Sequence, residues 1–444
     1  MKITKKNIFF SVLIFSSTVF SQVIGSLSEK ILGDKTIETL WNSGTVIEDI
    51  EAQKYINRIG QEISALSSNP EKNYLFYFLN NKSVNAFASW NGVMAYNSGL
   101  FFFTENESEL AAVVAHEVSH VSQDHLSRFL DKKNNQTIYL IGGLLSSILV
   151  NDPDVSSAIL ASTIANDIQN QINFTREHEW EADHFASEIL LKSKYNPIGL
   201  GTFFQRLINR DENKEFLRTH PLSIKRVSDN LARFSKSHKE SINSSSYDLI
   251  KAKIFIDLNK NLIEEENEII KTYSKAYNFF LEENYEESLY ELNKLLVLSN
   301  SAHVNILAGR VYSKLKDIKK SLEFFERAYE DGFREESTYY KSIALKENGK
   351  LLEGISVLRA FIKLNDSSVL SYELLSELYN LNNNSDKGQF YKAESLIKQR
   401  RFDEALVFFN QVLVSTNNKN LYQIVESRLK NLEDQISLYK KVNQ

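Results

Sequence analysis

Residues 110–120 read Leu-Ala-Ala-Val-Val-Ala-His-Glu-Val-Ser-His. The run contains no helix breaker, and it predicts a helix from about Ser108 to Leu130. In a helix, His116 and His120 are four residues apart and project from one face, so both imidazoles can bind one cation. The stretch therefore predicts a helix that carries two metal ligands.

Glu117 directly follows the first of these histidines, where its carboxylate can act as general base towards a water molecule that the metal activates. A catalytic zinc ion also needs a third protein ligand. The metzincin pattern requires glycine and histidine at two later positions, but Gln123 and Leu126 stand there, which excludes that class. His125 lies about half a turn round the helix from the ligand pair. We expect it beside the site or at the surface rather than on the metal.

A later motif contains the candidate for the third ligand. Residues 176–183 read Arg-Glu-His-Glu-Trp-Glu-Ala-Asp, which puts Glu179 and Asp183 on one face of a helix. We predict that Glu179 binds the metal and that Asp183 hydrogen-bonds a ligand histidine and fixes its tautomer. A charged amphipathic helix would explain the segment taken alone, but its pairing with the first motif favours a metal site. Glu177 and Glu181 fall on other faces and are expected in solvent.

The donor set indicates which metal is bound. Two imidazoles and one carboxylate suit zinc best. We therefore predict one Zn²⁺ per chain, with His116, His120 and Glu179 as its ligands.

A third group of candidate residues follows at Thr219-His220-Pro221, with Arg226 six residues after the histidine. Hydrolysis of a peptide bond develops negative charge on the carbonyl oxygen, and a cationic or hydrogen-bonding side chain there lowers the barrier. His220 and Arg226 are therefore predicted as catalytic residues beside Glu117. Alternatively, His220 occupies the open metal position and holds the enzyme latent.

The composition is that of a folded and mostly helical protein. A chain of 444 residues is too long for one ordinary core, which predicts two domains. Its 42% hydrophobic and 25% charged residues argue against disorder, and its four prolines favour helices over turn-rich β folds. The net charge of -5, without a dense Lys/Arg cluster, argues against a nucleic-acid partner.

The first residues have the layout of a secretory signal. Three lysines precede an apolar run from Ile8 to Phe20, and Ser21 offers a small residue before the cleavage point. The run is short for a membrane span, so an uncleaved anchor, which would make a membrane-tethered processing enzyme, is the alternative. With no cysteine in the chain, we expect neither a lipid-acceptor cysteine nor disulfides. The predicted location is the periplasm.

Four segments follow from these patterns: a signal peptide over residues 1–21, a zinc metalloprotease domain over 22–234, a serine-rich linker over 235–246 and a helical domain over 247–444. The predicted fold is mostly α. The protease domain is predicted to be α+β and zincin-like, with a small antiparallel sheet between residues 73 and 103.

Two apolar stretches lie within residues 138–165, and neither is long enough to span a bilayer. We predict a helical hairpin there. It packs in the core, or it forms a mobile lid or a peripheral membrane contact.

The C-terminal segment contains an internal repeat. Small residues recur 33 residues apart, and each has another small residue twelve positions before it; the pairs are Ala276/Ser288, Gly309/Ser321 and Ser342/Gly354, and Ala393/Ala405 shows the same offset. The period resembles that of tetratricopeptide repeats, which stack into an all-α solenoid with a groove for other polypeptides. The wider gap between Gly354 and Ala405 predicts a degenerate unit or an insertion, for which residues 382–384 are the candidate.

Taken together, the two helical motifs and the His-Pro-x4-Arg segment resemble the gluzincin family of HtpX and the CAAX prenyl proteases. Asn85-Ala86-Phe87-Ala88 and Asn97-Ser98-Gly99-Leu100 resemble the strand segment that precedes the metal helix in that family. The repeats make the chain most similar to the BepA-like periplasmic zinc metalloproteases. The chain lacks the long transmembrane helices of the multi-pass members, which argues against processing of prenylated proteins inside a membrane.

The resemblance implies a zinc metalloendopeptidase in quality control of envelope and outer-membrane β-barrel proteins. It implies ligands at His116, His120 and Glu179, the base at Glu117, and a supporting carboxylate at Asp183. Misfolded or unassembled envelope proteins are the implied substrates, held at the sheet edge, and the repeats would bind the outer-membrane assembly machinery. The alternative is a chaperone-like scaffold for envelope protein assembly in which proteolysis is gated or minor.

Overall fold

The structure is a computed structural model, and it describes residues 27–130, 176–209, 216–217, 220–235, 239–241, 243–259 and 267–442. The predicted signal peptide and the hairpin predicted within residues 138–165 lie outside these ranges. Among the described residues, no helix has both the length and the apolar character needed to cross a membrane.

The N-terminal part is a helical layer around one small sheet. Its elements are α1 (27–42), α2 (Ile50–Ser64), β1 (Leu75–Leu79), β2 (Ala86–Ala88), β3 (Val93–Asn97), α3 (Ser98–Phe103), α4 (Glu107–Ser122), α5 (His125–Leu130), α6 (Arg176–Lys192), α7 (Gly199–Ile208) and α8 (Ile224–Phe234). The predicted mostly-α architecture with a small sheet is confirmed.

The sheet is mixed rather than antiparallel. Its strand order is β1-β3-β2, with β3 parallel to β1 and antiparallel to β2. The chain crosses from β1 to the far edge before it forms β2, and a tight turn then returns β3 into the gap between them. Because β3 arrives from that turn in the direction of β1, the antiparallel expectation is wrong for this pair. All five residues of β3 are buried.

The turn between β2 and β3 depends on Gly92. Its φ is +72°, and a Cβ atom built there would lie 1.7 Å from the backbone oxygen of Asn73. Gly44 has a similar φ of +66° but open space around it. The two glycines therefore share the conformational requirement and differ in the space available to a side chain.

We expect Gly92→Ala to destabilise the protein much more than Gly44→Ala. The positive φ costs about 1 kcal/mol at either position, and displacing the Asn73 backbone adds roughly 1–3 kcal/mol at Gly92 alone. Urea unfolding of the two variants measures the difference. Equal losses of stability would show that the close approach to Asn73 is not a constraint.

The central helix of the N-terminal part is α4. The Asn106 side chain accepts a hydrogen bond from the backbone N–H of Glu109 and caps the helix, as its place in the sequence indicates. The helix ends at Ser122, because Asp124 adopts a left-handed conformation with φ 55°. The single helix expected to continue to Leu130 is therefore two helices, and α5 leaves in a new direction.

The C-terminal part is an array of antiparallel helix pairs. Its helices are α9 (Ser245–Asn259), α10 (Glu268–Leu281), α11 (Tyr285–Leu298), α12 (Ala302–Lys314), α13 (Ile318–Glu330), α14 (Arg334–Glu347), α15 (Leu351–Leu364), α16 (Val369–Leu381), α17 (Ser385–Lys398), α18 (Phe402–Ser415) and α19 (Lys419–Val442).

Small residues lie where paired helices approach closely, as the twelve-residue offset predicted. Ser288 Oγ donates to Ala276 O, and Ser321 Oγ donates to Gly309 O, both at 2.7 Å. A buried hydroxyl at this position satisfies a carbonyl and lets the backbones come together. The repeat spacing therefore reports real contacts between helices.

The degenerate unit expected after Gly354 is an ordinary one. Ser376 Oγ donates to Gly388 O at 2.7 Å, again across twelve residues. Gly388 follows Gly354 by about one repeat length, so the array continues without an insertion. Residues 382–384 form the turn between α16 and α17. Ser376 and Gly388 repeat the order of the Ser342/Gly354 pair, but they follow it by 34 residues rather than 33, and they were not predicted from the sequence.

The helix array packs directly against the N-terminal part through α2. His303 Nδ1 lies 2.7 Å from Glu51 Oε2, and both residues are buried. Ile50 belongs to a hydrophobic cluster that is otherwise formed by residues of the array. Further along α2, Arg58 pairs with Glu336. One face of α2 thus contacts the array while α4 packs against another.

The segment around the predicted linker also contacts the N-terminal part. Lys239 Nζ donates to the backbone oxygen of Ser193 at 2.7 Å. Ser244 donates to the Glu107 carboxylate through its backbone N–H at 2.9 Å and through its hydroxyl at 2.8 Å. These contacts hold Lys239 beside the end of α6 and Ser244 beside the start of α4; the domain boundaries themselves stay predictions.

Candidate metal centre

The candidate site lies where α4 and α6 pack side by side. Leu110 to Val118 are all buried, because α2, α6, α7 and β2 surround α4. Among these apolar residues, α4 turns two imidazoles towards α6, and α6 turns two carboxylates towards α4. Each helix therefore presents its predicted residues on one face, and the two faces contact each other.

Four side chains converge at this meeting point. The Nε2 atoms of His116 and His120 are 3.1 Å apart. The Glu179 carboxylate lies 3.5 Å from each of these atoms through its two oxygens. With His220 included, one ligand atom from each residue lies within 4.8 Å of the others. Three imidazole nitrogens and a carboxylate oxygen are donors that zinc binds, so these residues fit a metal ion.

The charge distribution also fits a cation. Burial alone would lower the pKa of His116, but Asp183 and Glu179 outweigh it and raise that pKa to about 9. Burial would raise the pKa of Glu179, but His220 and His116 hold it well below its usual range. The two carboxylates therefore stabilise positive charge at His116, whereas burial lowers the pKa of His120 well below its usual range.

Asp183 supports His116 from behind. Its Oδ1 lies 3.1 Å from His116 Nδ1. Arg226 holds the carboxylate with two hydrogen bonds of 2.8 Å, and Asn230 donates a third at 3.1 Å. Asn230 was not predicted, although it stands four residues after Arg226 and so shares its face of α8.

Arg226 is buried, and its guanidinium contacts polar groups of the protein. Besides Asp183, its Nη1 donates to the backbone oxygen of Pro221 and lies 2.8 Å from Glu179 Oε2. The structure thus brings Arg226 to the site, with its guanidinium against the two carboxylates of α6. Its predicted action on a substrate oxygen stays a prediction, and these contacts instead favour a role in holding the carboxylates.

His220 lies within the site, between the ligand set and Glu117. Its Nδ1 is 3.3 Å from Glu179 Oε1 and 3.4 Å from His116 Nε2. Its Nε2 is 3.3 Å from Glu117 Oε1. Of the two interpretations of His220, this position favours a fourth metal ligand.

Glu117 is fully buried at the edge of the ligand set. Its Oε1 lies 3.3 Å from His220 Nε2 without good hydrogen-bonding geometry. Burial raises its pKa, and His220, His116 and a contact with the backbone of Ala88 oppose that rise. Such a carboxylate has the basicity and the free acceptor capacity that a general base requires.

A second cluster lies behind His120. His125 Nδ1 is 2.8 Å from His120 Nδ1, and His178 stacks on the His125 ring with centroids 4.6 Å apart. Glu181 Oε2 lies 3.2 Å from His125 Nε2, and Arg128 binds the same carboxylate at 2.9 Å. Glu181 was expected in solvent and is only partly there: 31% of its side chain is exposed, and its carboxylate contacts His125 and Arg128.

Comparison with known proteins gives the same class as the geometry. Residues 51–233 match the model for Peptidase family M48. The Beta-barrel assembly-enhancing protease of Escherichia coli (strain K12) is 26% identical over 439 residues, which cover 93% of this chain and 90% of that protein.

Two further relatives agree. The Beta-barrel assembly-enhancing protease of Yersinia pestis is 32% identical over 60% of this chain and 59% of its own length. Metalloprotease LoiP of Escherichia coli (strain K12) is 27% identical over 45% of this chain and 77% of its own. Among solved structures, the match to the crystal structure of the yeast Tom70 spans 76% of this chain and 87% of that chain, at 13% identity. Its TM-score of 0.19 is too low to show a shared fold.

The fold, the buried donor set and these relatives define the chain as a metalloprotease. The match to the model for peptidase family M48 spans residues 51–233, which include all of these donors. The similarity to beta-barrel assembly-enhancing proteases extends through the helix array as well, and it confirms the resemblance found in the motifs.

Proposed function

We propose that this chain is an exported zinc-dependent metalloendopeptidase of the cell envelope, and that it cleaves misfolded or unassembled envelope proteins. The observation that carries the proposal is the convergence of His116, His120 and Glu179 beside the buried carboxylate of Glu117. The relatives named for β-barrel assembly support an outer-membrane process and a periplasmic location.

His116, His120 and Glu179 would hold the zinc ion. When bound, zinc polarises the peptide carbonyl and makes water a nucleophile at neutral pH. Glu117 accepts the proton of the attacking water and then delivers it to the amine that leaves. Asp183 keeps His116 in the tautomer that leaves its Nε2 free to bind the metal.

His220 is proposed to hold the enzyme latent. Its ring lies between Glu117 and the ligand set, where the water and the peptide carbonyl must lie during hydrolysis. A substrate therefore has to displace His220 before Glu117 can act. The same position favours the second candidate function, a scaffold for envelope protein assembly in which proteolysis is gated.

The substrate is proposed to add to the edge of the sheet. Among the described strands, β2 pairs with β3 alone, and β2 also contacts α4. An extended peptide hydrogen-bonded to β2 would therefore run beside the metal helix. The helix array would bind the protein from which that peptide comes, or a component of the outer-membrane assembly machinery.

The metal content of the purified 22–444 protein tests this function. We expect about one zinc ion per chain, because a single set of His and Glu ligands binds a single zinc ion. His116→Ala should lose the metal, because it removes a ligand at the centre of the set. His184→Ala is the matched control, since His184 is on α6 but 58% exposed and away from the site.

Elemental analysis and casein cleavage are measured on the same preparations. Zinc that is absent from the wild-type protein, or retained fully by His116→Ala, would refute the ligand assignment. Zinc without any cleavage would favour the gated scaffold.

A further inference from the structure

The two histidines of the metal helix are not supported in the same way. His116 has the carboxylate of Asp183 at 3.1 Å from its Nδ1. The neighbour of His120 at Nδ1 is instead the ring of His125, whose Nδ1 lies 2.8 Å away. A histidine ligand generally needs an acceptor at its outer nitrogen. The His125 ring stands where that acceptor is required.

The break between α4 and α5 makes this contact possible. In a continuous helix, a residue five positions further on lies roughly 140° round the axis and cannot face the first. Asp124, with φ 55°, ends α4 and turns the chain so that His125 comes back towards His120. Lys72 Nζ donates to the backbone oxygen of Val121 at 3.0 Å, and Asn69 donates to that of Ser122 at 2.8 Å. These bonds tie the end of α4 to the segment that precedes β1.

The proton positions follow from the atoms involved. If His120 binds a metal through Nε2, its proton is on Nδ1, because a neutral imidazole carries one proton. That N–H then points at His125 Nδ1, which must accept. The proton of a neutral His125 is therefore on Nε2, and this atom lies 3.2 Å from Glu181 Oε2. Each of these protons therefore faces the next group outwards from the ligand, and the last faces the Glu181 carboxylate at ion-pair distance.

An arginine binds the outer carboxylate of this chain of groups, just as an arginine binds the carboxylate beside His116. Arg128 Nη1 donates to both oxygens of Glu181, at 2.9 and 3.1 Å. Arg226 binds Asp183 in the corresponding place. Glu181 and Asp183 are two residues apart on α6, so one helix supplies the outer carboxylate for both ligand histidines. The His178 ring, stacked on His125, restricts its rotation.

We propose that His125, Glu181 and Arg128 form a positioning chain that fixes the tautomer and the orientation of His120. The inference rests on the proposed metal site. His125 is then a positioning residue and not a ligand. It acts on the metal only through His120, and its removal weakens metal binding without removing a donor atom.

Zinc affinity of the 22–444 protein tests the proposal, measured by competition with a chromogenic chelator. His125→Leu should raise the Kd for zinc about 10–100-fold, the usual effect of removing such a partner. Glu181→Gln should raise it less, because the amide still accepts through its oxygen. Glu177→Gln is the matched control on an exposed face of α6 and should leave the Kd unchanged.

A conservative variant separates positioning from a loss of packing. His125→Gln can accept from His120 Nδ1 and donate towards Glu181, so it should recover part of the affinity lost in His125→Leu. The cobalt-substituted proteins provide a second measurement. Their visible absorption bands should shift in Glu181→Gln, which changes no ligand and alters a partly exposed residue.

The outcomes are distinguishable. A wild-type protein that binds no zinc would overturn the metal site and this inference together. Wild-type binding with unchanged affinity in His125→Leu, or a glutamine no better than leucine, would overturn the positioning chain and leave the metal site standing.

Discussion

Glu117→Gln is expected to lower the rate of peptide cleavage by about 10²–10⁴-fold, the contribution of a general base, while zinc content stays at the wild-type level. Glutamine has nearly the same shape as glutamate but cannot take a proton from water at neutral pH. Glu117 is buried beside the ligand set without being one of its converging donors. The change should therefore remove the proton acceptor and leave the metal in place.

The measurement is casein cleavage with metal analysis of the same samples. Glu188→Gln is the control, since Glu188 is on α6 with a side chain 47% exposed. Undiminished cleavage by Glu117→Gln would mean that another group is the base. The same variant also separates the two candidate functions, because binding of unfolded proteins by the helix array should survive in it.

Arg226→Ala is expected to lower the free energy of unfolding of the metal-free protein by about 3–5 kcal/mol, the usual cost of leaving a buried charge unpaired. The guanidinium is buried, binds both oxygens of Asp183 and lies 2.8 Å from Glu179. Its removal leaves two buried carboxylates facing each other without their cation. Urea unfolding, with a chelator present throughout, measures the loss.

Arg233→Ala is the matched control, because Arg233 is on the same helix but exposed. The double variant Arg226→Ala/Asp183→Asn should be less destabilised than the sum of its two single changes, since it removes both partners of the pair. Strict additivity would contradict a direct interaction. A loss as small as that of Arg233→Ala would show that Arg226 does not neutralise these carboxylates.

The parts of the site that could be predicted are those set by spacing within one helix. His116 and His120, and likewise Glu179 and Asp183, are four residues apart, so helical geometry alone puts each pair on one face. That the two faces would meet could be inferred only because a metal needs ligands from both. Zinc itself, and the roles of individual residues, remain proposals.

The parts that could not be predicted depend on departures from regular structure. His125 reaches His120 only because Asp124 ends the helix. Aspartate adopts the left-handed conformation more readily than most residues, but its presence alone does not predict a helix end. Glu181 was expected in solvent because it falls on another face of α6 from Glu179, and its contacts with α5 depend on the same break in the helix. The parallel pairing of β1 with β3 likewise depends on how the chain crosses between strands, which the strand patterns do not contain.

α9 has one face in each half of the molecule. Tyr247, Ile250 and Ile254 belong to the hydrophobic cluster of the N-terminal part. Leu249, Ala252 and Ile256 belong to the first cluster of the helix array.

A gene rearrangement that joined this protease to a different repeat array at the linker would remove α9 from both clusters. Exchange of the array at that point is therefore expected to expose part of the hydrophobic core of the N-terminal part.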